Sequence, residues 1–148
     1  MSSLPAWLPF ANKVVKGLNR LGVGLGTIRV LEVPGRTTGE PRRTPVSPVP
    51  LAGREYVIAG LTGAQWARNV RAAGHGRFIT RGGPRPVTLT EVTDLAVRRR
   101  VMREFPTAVP HGVHFFVRIG VVSDTTPEAF EAAADKVAVF EIVDVPSA

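Results

Sequence analysis

The chain has 148 residues, 44% of them hydrophobic, and 19 Lys+Arg against 12 Asp+Glu, giving a formal charge of +7 and an isoelectric point near 11.2. That length suits a single domain, residues 1–148, built round one core. No stretch reaches the roughly 20 uninterrupted apolar residues of a membrane-spanning helix, and the lack of cysteine excludes disulfides, thiolate nucleophiles and cysteine zinc sites.

The elements follow in chain order. Pro9 suits a first helical turn, and Ala11, Val14, Leu18 and Leu21 recur at helical spacing, which predicts an N-terminal helix. Lys13, Lys16 and Arg20 run beside that apolar face, so the helix either packs across the end of the domain or touches an anionic membrane peripherally. The same cations interrupt the apolar stretch instead of preceding it, unlike a signal peptide, and with no cysteine the economical location is cytoplasmic, with membrane association as the variant. Gly22-Val-Gly-Leu-Gly26 follows a helix and opens a strand, the reverse of a dinucleotide fingerprint, and reads as a connector closing segment 1–26.

Thr27–Val33 and Thr44–Leu51 are rich in strand formers and flank a turn at Gly35 and Gly39. Pro45, Pro48 and Pro50 make the second strand irregular or an edge. Glu55–Gly60 follows a turn at Ala52-Gly53, and Arg85–Thr93 alternates Val87 and Leu89 against Thr88 and Thr90. His114–Ile119 and Val137–Val143 bring the expected strands to six or seven. Between them lie helices over Ala64–Ala73, stopped by Gly74, over Leu95–Phe105, capped by Asp94, and over Glu128–Asp135, started by Thr126-Pro127. With no βαβ alternation, the expectation is a mainly β (α+β) fold, an antiparallel barrel with peripheral helices.

Two clusters carry chemistry. In Gly35-Arg-Thr-Thr-Gly-Glu-Pro-Arg-Arg-Thr-Pro45 two glycines bend the backbone, Arg36, Arg42 and Arg43 offer forked donors, and Thr37, Thr38 and Thr44 add hydroxyls. Arg42 and Thr44 share one face of the strand, with Arg43 on the other. This is a phosphate-binding hairpin or a solvated one; the Gly-Lys-Ser/Thr ending of a nucleotide P-loop is missing. The second cluster, Ala59-Gly-Leu-Thr-Gly-Ala-Gln-Trp-Ala-Arg-Asn-Val70, runs from a strand through a glycine turn onto a helix N-terminus, where backbone N–H groups lack partners.

Together, "V-P-G-R-T-T-G-E-P-R-R-T-P-V", "Y-V-I-A-G", "G-A-Q-W-A-R-N-V-R-A-A-G" and "V-T-L-T-E-V-T-D" resemble the deazaflavin-dependent nitroreductase-like family over about Ile28 to Phe105, with a looser match from Pro127 through "V-A-V-F-E-I". The resemblance implies a split β-barrel of the flavin-mononucleotide-binding type that binds coenzyme F-420, with flavin mononucleotide (FMN) as the alternative. It assigns the phosphate and acidic tail to Arg36, Thr37, Thr38, Arg42, Thr44 and Pro45. It assigns the ring to Ala59, Gly60, Leu61, Gly63, Ala64 and Asn69, with Trp66 beside them; Arg68, in the same cluster, is a further cofactor-binding candidate from the residues themselves. Thr37 and Glu40 stand where family members often carry lysine, and Arg43 is a candidate to restore that charge. Better-known nitroreductases of the family place several tyrosines round the substrate, and this chain has only Tyr56.

The implied activity is hydride transfer from the reduced deazaflavin to an activated double bond, quinone or nitro-type acceptor, with the protein supplying position and dryness. No catalytic side chain is singled out. Tyr56, His111 and His114 are the candidates to flank the substrate, and two histidines without a third ligand do not make a metal site. The rivals are a non-catalytic flavin or deazaflavin carrier and a basic nucleic-acid-binding module. Aromatic residues at 7%, not interleaved with the arginines, and the lack of a DNA-reading helix motif argue against the latter. The partner is therefore a small-molecule acceptor and not nucleic acid, and the chain is a monomer or homodimer.

Overall fold

The computed structural model describes residues 27–146, so the expected N-terminal helix and its glycine connector lie outside the described residues. Seven strands form one sheet: β1 (Arg29–Pro34), β2 (Pro41–Val46), β3 (Val49–Leu51), β4 (Arg54–Ala59), β5 (His75–Thr80), β6 (Gly83–Glu91) and β7 (Ala138–Asp144). Their order is β2-β1-β5-β6-β7-β4-β3, with every neighbouring pair antiparallel. A flat sheet of seven strands would hold its edges ~29 Å apart. The edge strands β2 and β3 are nevertheless joined through Ser47-Pro48 alone, a span of at most ~11 Å from Val46 to Val49. The sheet must therefore curl until its edges meet at that corner.

Side-chain alternation shows how the curl is filled. Val57 and Ala59 of β4 and Ala138, Phe140 and Ile142 of β7 point inward, joining Leu31, Val33, Phe78, Val87 and Leu89. The intervening Tyr56 and Val139 point outward, into a second core with Phe105, Phe116 and Phe130. β4 and β7 are thus buried on both faces, whereas β6 keeps Thr88 and Thr90 in solvent. The inner core is covered by helix α1 (Gln65–Ala73) through Ala67 and Val70. The outer core is covered by α2 (Leu95–Ala108), α3 (Val113–Arg118) and α4 (Pro127–Ala132). The aromatic contacts there are close, with Phe105 stacked on Phe130 at 5.4 Å and edge-on to Phe116 at 4.9 Å.

Several sequence expectations are corrected. His114–Ile119 is not a strand: a 3-10 turn at Pro110–Gly112 leads into α3, which turns Val113 and Phe116 into the outer core at i, i+3 spacing. His75–Thr80, unassigned from sequence, is β5. The expected strand Thr44–Leu51 starts at Pro41 and breaks at Ser47-Pro48 into the two edges, where its prolines remove no ladder donor the sheet needs. α2 runs past Phe105 through Pro106, and the last helix divides into α4 and a 3-10 turn at Ala134–Lys136. The expected caps hold: Asp94 accepts from the Ala96 N–H at 2.9 Å and Thr126 from that of Ala129 at 3.1 Å, while Gly74 closes α1 at φ +72°.

Candidate functional site

The turn joining β1 to β2 is self-bonded. Gly35 N–H donates to Glu40 O at 2.8 Å, Gly39 N–H to Gly35 O at 2.9 Å, and Glu40 N–H to Thr38 Oγ1 at 3.2 Å. Gly39 sits at φ +79°, a backbone state that favours glycine. The turn docks on α1 through Arg36, whose main-chain N–H and Nη1 both donate to Asn69 Oδ1 (3.1 and 2.8 Å) while Nη2 donates to Gln65 Oε1 (2.6 Å). Asn69, 6% exposed, is one of two buried polar residues among those described, and this bonding accounts for it.

Between turn and helix lies a cavity of about 350 Å³ with polar and charged residues in its wall, called the polar cavity below. Gly35, Arg36, Thr37, Thr38, Arg42 and Thr44 line it from the hairpin, and Gln65, Trp66 and Asn69 from the helix. α1 begins beside it at Ala64, a residue with no capping side chain, and its first turn carries no acidic residue. The opening N–H groups of the helix therefore add partial positive charge next to two guanidinium groups. Arg43 does not add to it. The alternation of β2 sends its side chain to the opposite face, where Arg43 Nε meets Glu32 Oε2 at 2.8 Å and Arg77 Nε meets Glu32 Oε1 at 2.6 Å. Burial raises the Glu32 pKa, but these two arginine hydrogen bonds and their charges outweigh it and hold the carboxyl below its ordinary value. Arg43 thus does not restore the charge that Thr37 and Glu40 lack. Glu40 lies 3.9 Å from the Arg42 guanidinium, at the exposed edge of the hairpin.

A second cavity, about 470 Å³, adjoins the first across Trp66, which lines both. Its walls are Pro45, Val46 and Ser47 from the barrel corner, Ile58, Ala59, Gly60, Leu61 and Ala64 from the end of β4 and the loop, and Phe105, Val109, His111, Phe115 and Phe116 from the outer helices. These walls are mainly apolar, and Leu61 and Phe115 are the large exposed apolar side chains among them (53% and 52%). The loop is tied from behind: Arg71 donates Nη1 to Thr62 O at 2.7 Å and binds Glu91 through Nε and Nη2. Hydrogen bonding to Glu91 raises the Arg71 pKa despite some burial. Gly60 has its own packing reason, since a Cβ there would stand 2.9 Å from both Phe116 Cε1 and Ile119 Cδ1.

The structure gathers most of the sequence candidates on these two cavities. It does not bring Gly63, Arg68, Tyr56 or His114 to either wall. Tyr56 is 6% exposed within the outer core, and Arg68 and His114 are exposed on α1 and α3. Sequence reasoning missed Gln65, which the i, i+4 spacing to Asn69 could have placed on the same helix face. It also missed Val46 and Ser47, because the corner that turns them inward depends on the closing of the sheet. Among the described residues no group of three or more His, Asp or Glu is placed to hold a metal, and no helix is long and apolar enough to cross a membrane.

No protein-family model matches the chain, and no curated protein matches it. Solved structures do. A conserved hypothetical protein from Mycobacterium tuberculosis superposes with a TM-score of 0.54 at 14% identity, over 97% of this chain and 82% of its own. An F420-H2 dependent reductase superposes with 0.53 at 18%, over 78% and 93%. A general-stress-protein relative of the pyridoxinephosphate oxidase family from Clostridium acetobutylicum gives 0.50 at 8%, over 90% and 84%. At these identities the likeness concerns the fold, which is a split β-barrel with peripheral helices.

Proposed function

We propose that the chain is a reductase that binds a phosphate-bearing flavin or deazaflavin, coenzyme F-420 in the first instance, across the two adjoining cavities. One observation carries the reading: a cavity of arginines and threonines meets an apolar cavity at a shared tryptophan, the polarity profile of a ligand with an anionic tail and a flat ring. Both volumes fall in the usual range for small-molecule sites. Arg36 and Arg42 hold the phosphate with charge-assisted bonds, helped by the hydroxyls of Thr37, Thr38 and Thr44 and the start of α1. Trp66, Ala59, Leu61 and Ala64 border the ring, and the apolar walls keep water from it. When bound, such a ring supplies a hydride to an activated double bond, quinone or nitro-type acceptor. The fold shared with an F420-H2 dependent reductase supports this class of chemistry.

FMN is the second candidate, and Glu40 favours it. A carboxylate 3.9 Å from Arg42 opposes a tail carrying further carboxylates and leaves a single phosphate less affected.

Fluorescence titration with F-420 and FMN tests the reading. Wild type binds at least one of them, and Arg42→Ala weakens binding about 10- to 100-fold, the worth of a hydrogen bond to a charged group. Arg36→Ala weakens it too, but also frees Asn69 and Gln65, so Arg42 is the cleaner probe. If neither cofactor binds, or Arg42→Ala binds like wild type, the reading is wrong.

A further inference from the structure

Adding a hydride to an enone or quinone leaves negative charge on the acceptor's oxygen, and a proton must reach it. Of the described residues lining the apolar cavity, His111 alone carries a titratable side chain. Its Nε2 lies 2.7 Å from Thr27 Oγ1, a bond joining positions 84 apart in the chain. Thr27 Oγ1 in turn lies 3.5 Å from Ser47 Oγ, and Ser47 lines the same cavity from the barrel corner. The imidazole is exposed, so it exchanges protons with water, while Ser47 is half-buried. Thr27 thus bridges two residues of the cavity wall, the exposed His111 and the half-buried Ser47, and each hydroxyl can accept one hydrogen bond and donate another.

We propose that His111, Thr27 and Ser47 form a proton relay serving the acceptor bound in the apolar cavity, an inference that rests on the reductase reading above. His111 Nε2–H donates to Thr27 Oγ1, Thr27 Oγ1–H to Ser47 Oγ, and Ser47 Oγ–H to the acceptor oxygen. As the acceptor carbon gains a hydride, matched by the two-electron oxidation of the reduced cofactor, its oxygen takes the Ser47 proton. Ser47 is reprotonated by Thr27, Thr27 by His111, and His111 by water. The net change is one hydride and one proton added to the acceptor. Ser47 touches the acceptor and is catalytic in this scheme; Thr27 and His111 act through it.

The test compares two acceptors and adds one binding measurement. An enone needs hydride and proton, whereas a triarylmethyl carbocation dye needs hydride alone. His111→Gln, Thr27→Val and Ser47→Ala each slow the enone about 10- to 100-fold relative to the dye, within the range of general acid catalysis. Without cofactor, 4-nitrophenolate stands in for the acceptor oxyanion, and its affinity, read by absorbance, falls several-fold in Ser47→Ala while FMN or F-420 affinity holds. Equal slowing of both acceptors, together with unchanged nitrophenolate affinity, would overturn the relay. Wild type that binds cofactor but shows neither effect in its variants refutes the relay alone, whereas wild type that binds no cofactor refutes the reductase reading.

Discussion

Glu32 sits between two arginines that reach it from the strands on either side, Arg43 from β2 and Arg77 from β5, each opposite it in register. The carboxyl is 6% exposed, so its charge is maintained by those partners and not by water. Its pKa is lowered in the folded state, which sets the sign of its linkage. The group adds stability above its unfolded pKa, and that contribution is lost as pH falls through the lower, folded value. Glu32→Gln should therefore cost about 1–3 kcal/mol at neutral pH, towards the low end because Arg77 is half exposed to screening solvent. The gap to wild type should narrow as pH falls below ~4, in urea melts at pH 7 and pH 3. A gap of the same size at both would show that the ionised carboxylate is not what stabilises this spot. The alternation of Arg42, Arg43 and Thr44 was legible in the sequence; the carboxylate awaiting Arg43 across β1 was not, because cross-strand register depends on the whole sheet.

Strand β5 shows what an element costs to identify when its signal is negative. His75-Gly-Arg-Phe-Ile-Thr80 offers neither alternation nor an apolar run, and Gly76 reads as a breaker. In the sheet that glycine is the feature that lets β5 approach β1: a Cβ at position 76 would stand 2.6 Å from the Glu32 carbonyl oxygen and 3.0 Å from Val33 Cγ2. The first obstacle is backbone, so it yields only if the strands part. Gly76→Ala should destabilise by about 1–3 kcal/mol, against the small gain that alanine usually brings to a strand. Thermal melting would read this as a fall of roughly 2–4 °C per kcal/mol. An unchanged or raised midpoint would mean that β1 and β5 can part enough to admit a methyl group at no cost. α3 was misread for the opposite reason: Val113–Arg118 has strand-like composition, and its packing on Phe105 and Phe130 of the neighbouring helices favours a helix.

At the scale of the molecule, the charge of +7 pointed to an anionic partner without saying where. The structure distributes it. Among the described residues Arg43, Arg54, Arg71, Arg77, Arg85 and Arg103 each meet a carboxylate within 3 Å, while Arg36 and Arg42 line the first cavity, Arg42 with the Glu40 carboxylate 3.9 Å away. That cavity and its apolar neighbour are bounded by three parts of the chain, the β1–β2 hairpin with its corner at Ser47, the loop entering α1 and, round the apolar cavity, residues 105–116 of the outer helices. A ligand spanning both must couple those parts. Cofactor at one hundred times its dissociation constant should stabilise the fold by about 2.7 kcal/mol, a melting shift of roughly 5–10 °C for a chain of this size. Hydrogen exchange should slow together over residues 35–47 and 59–69, with β6 unaffected. Arg42→Ala should lose most of the shift yet melt like wild type without ligand, since the side chain is half exposed and its carboxylate contact is a distant 3.9 Å. A shift of equal size in that variant, or protection confined to one wall, would mean that the ligand sits in one cavity and the two do not form a single site.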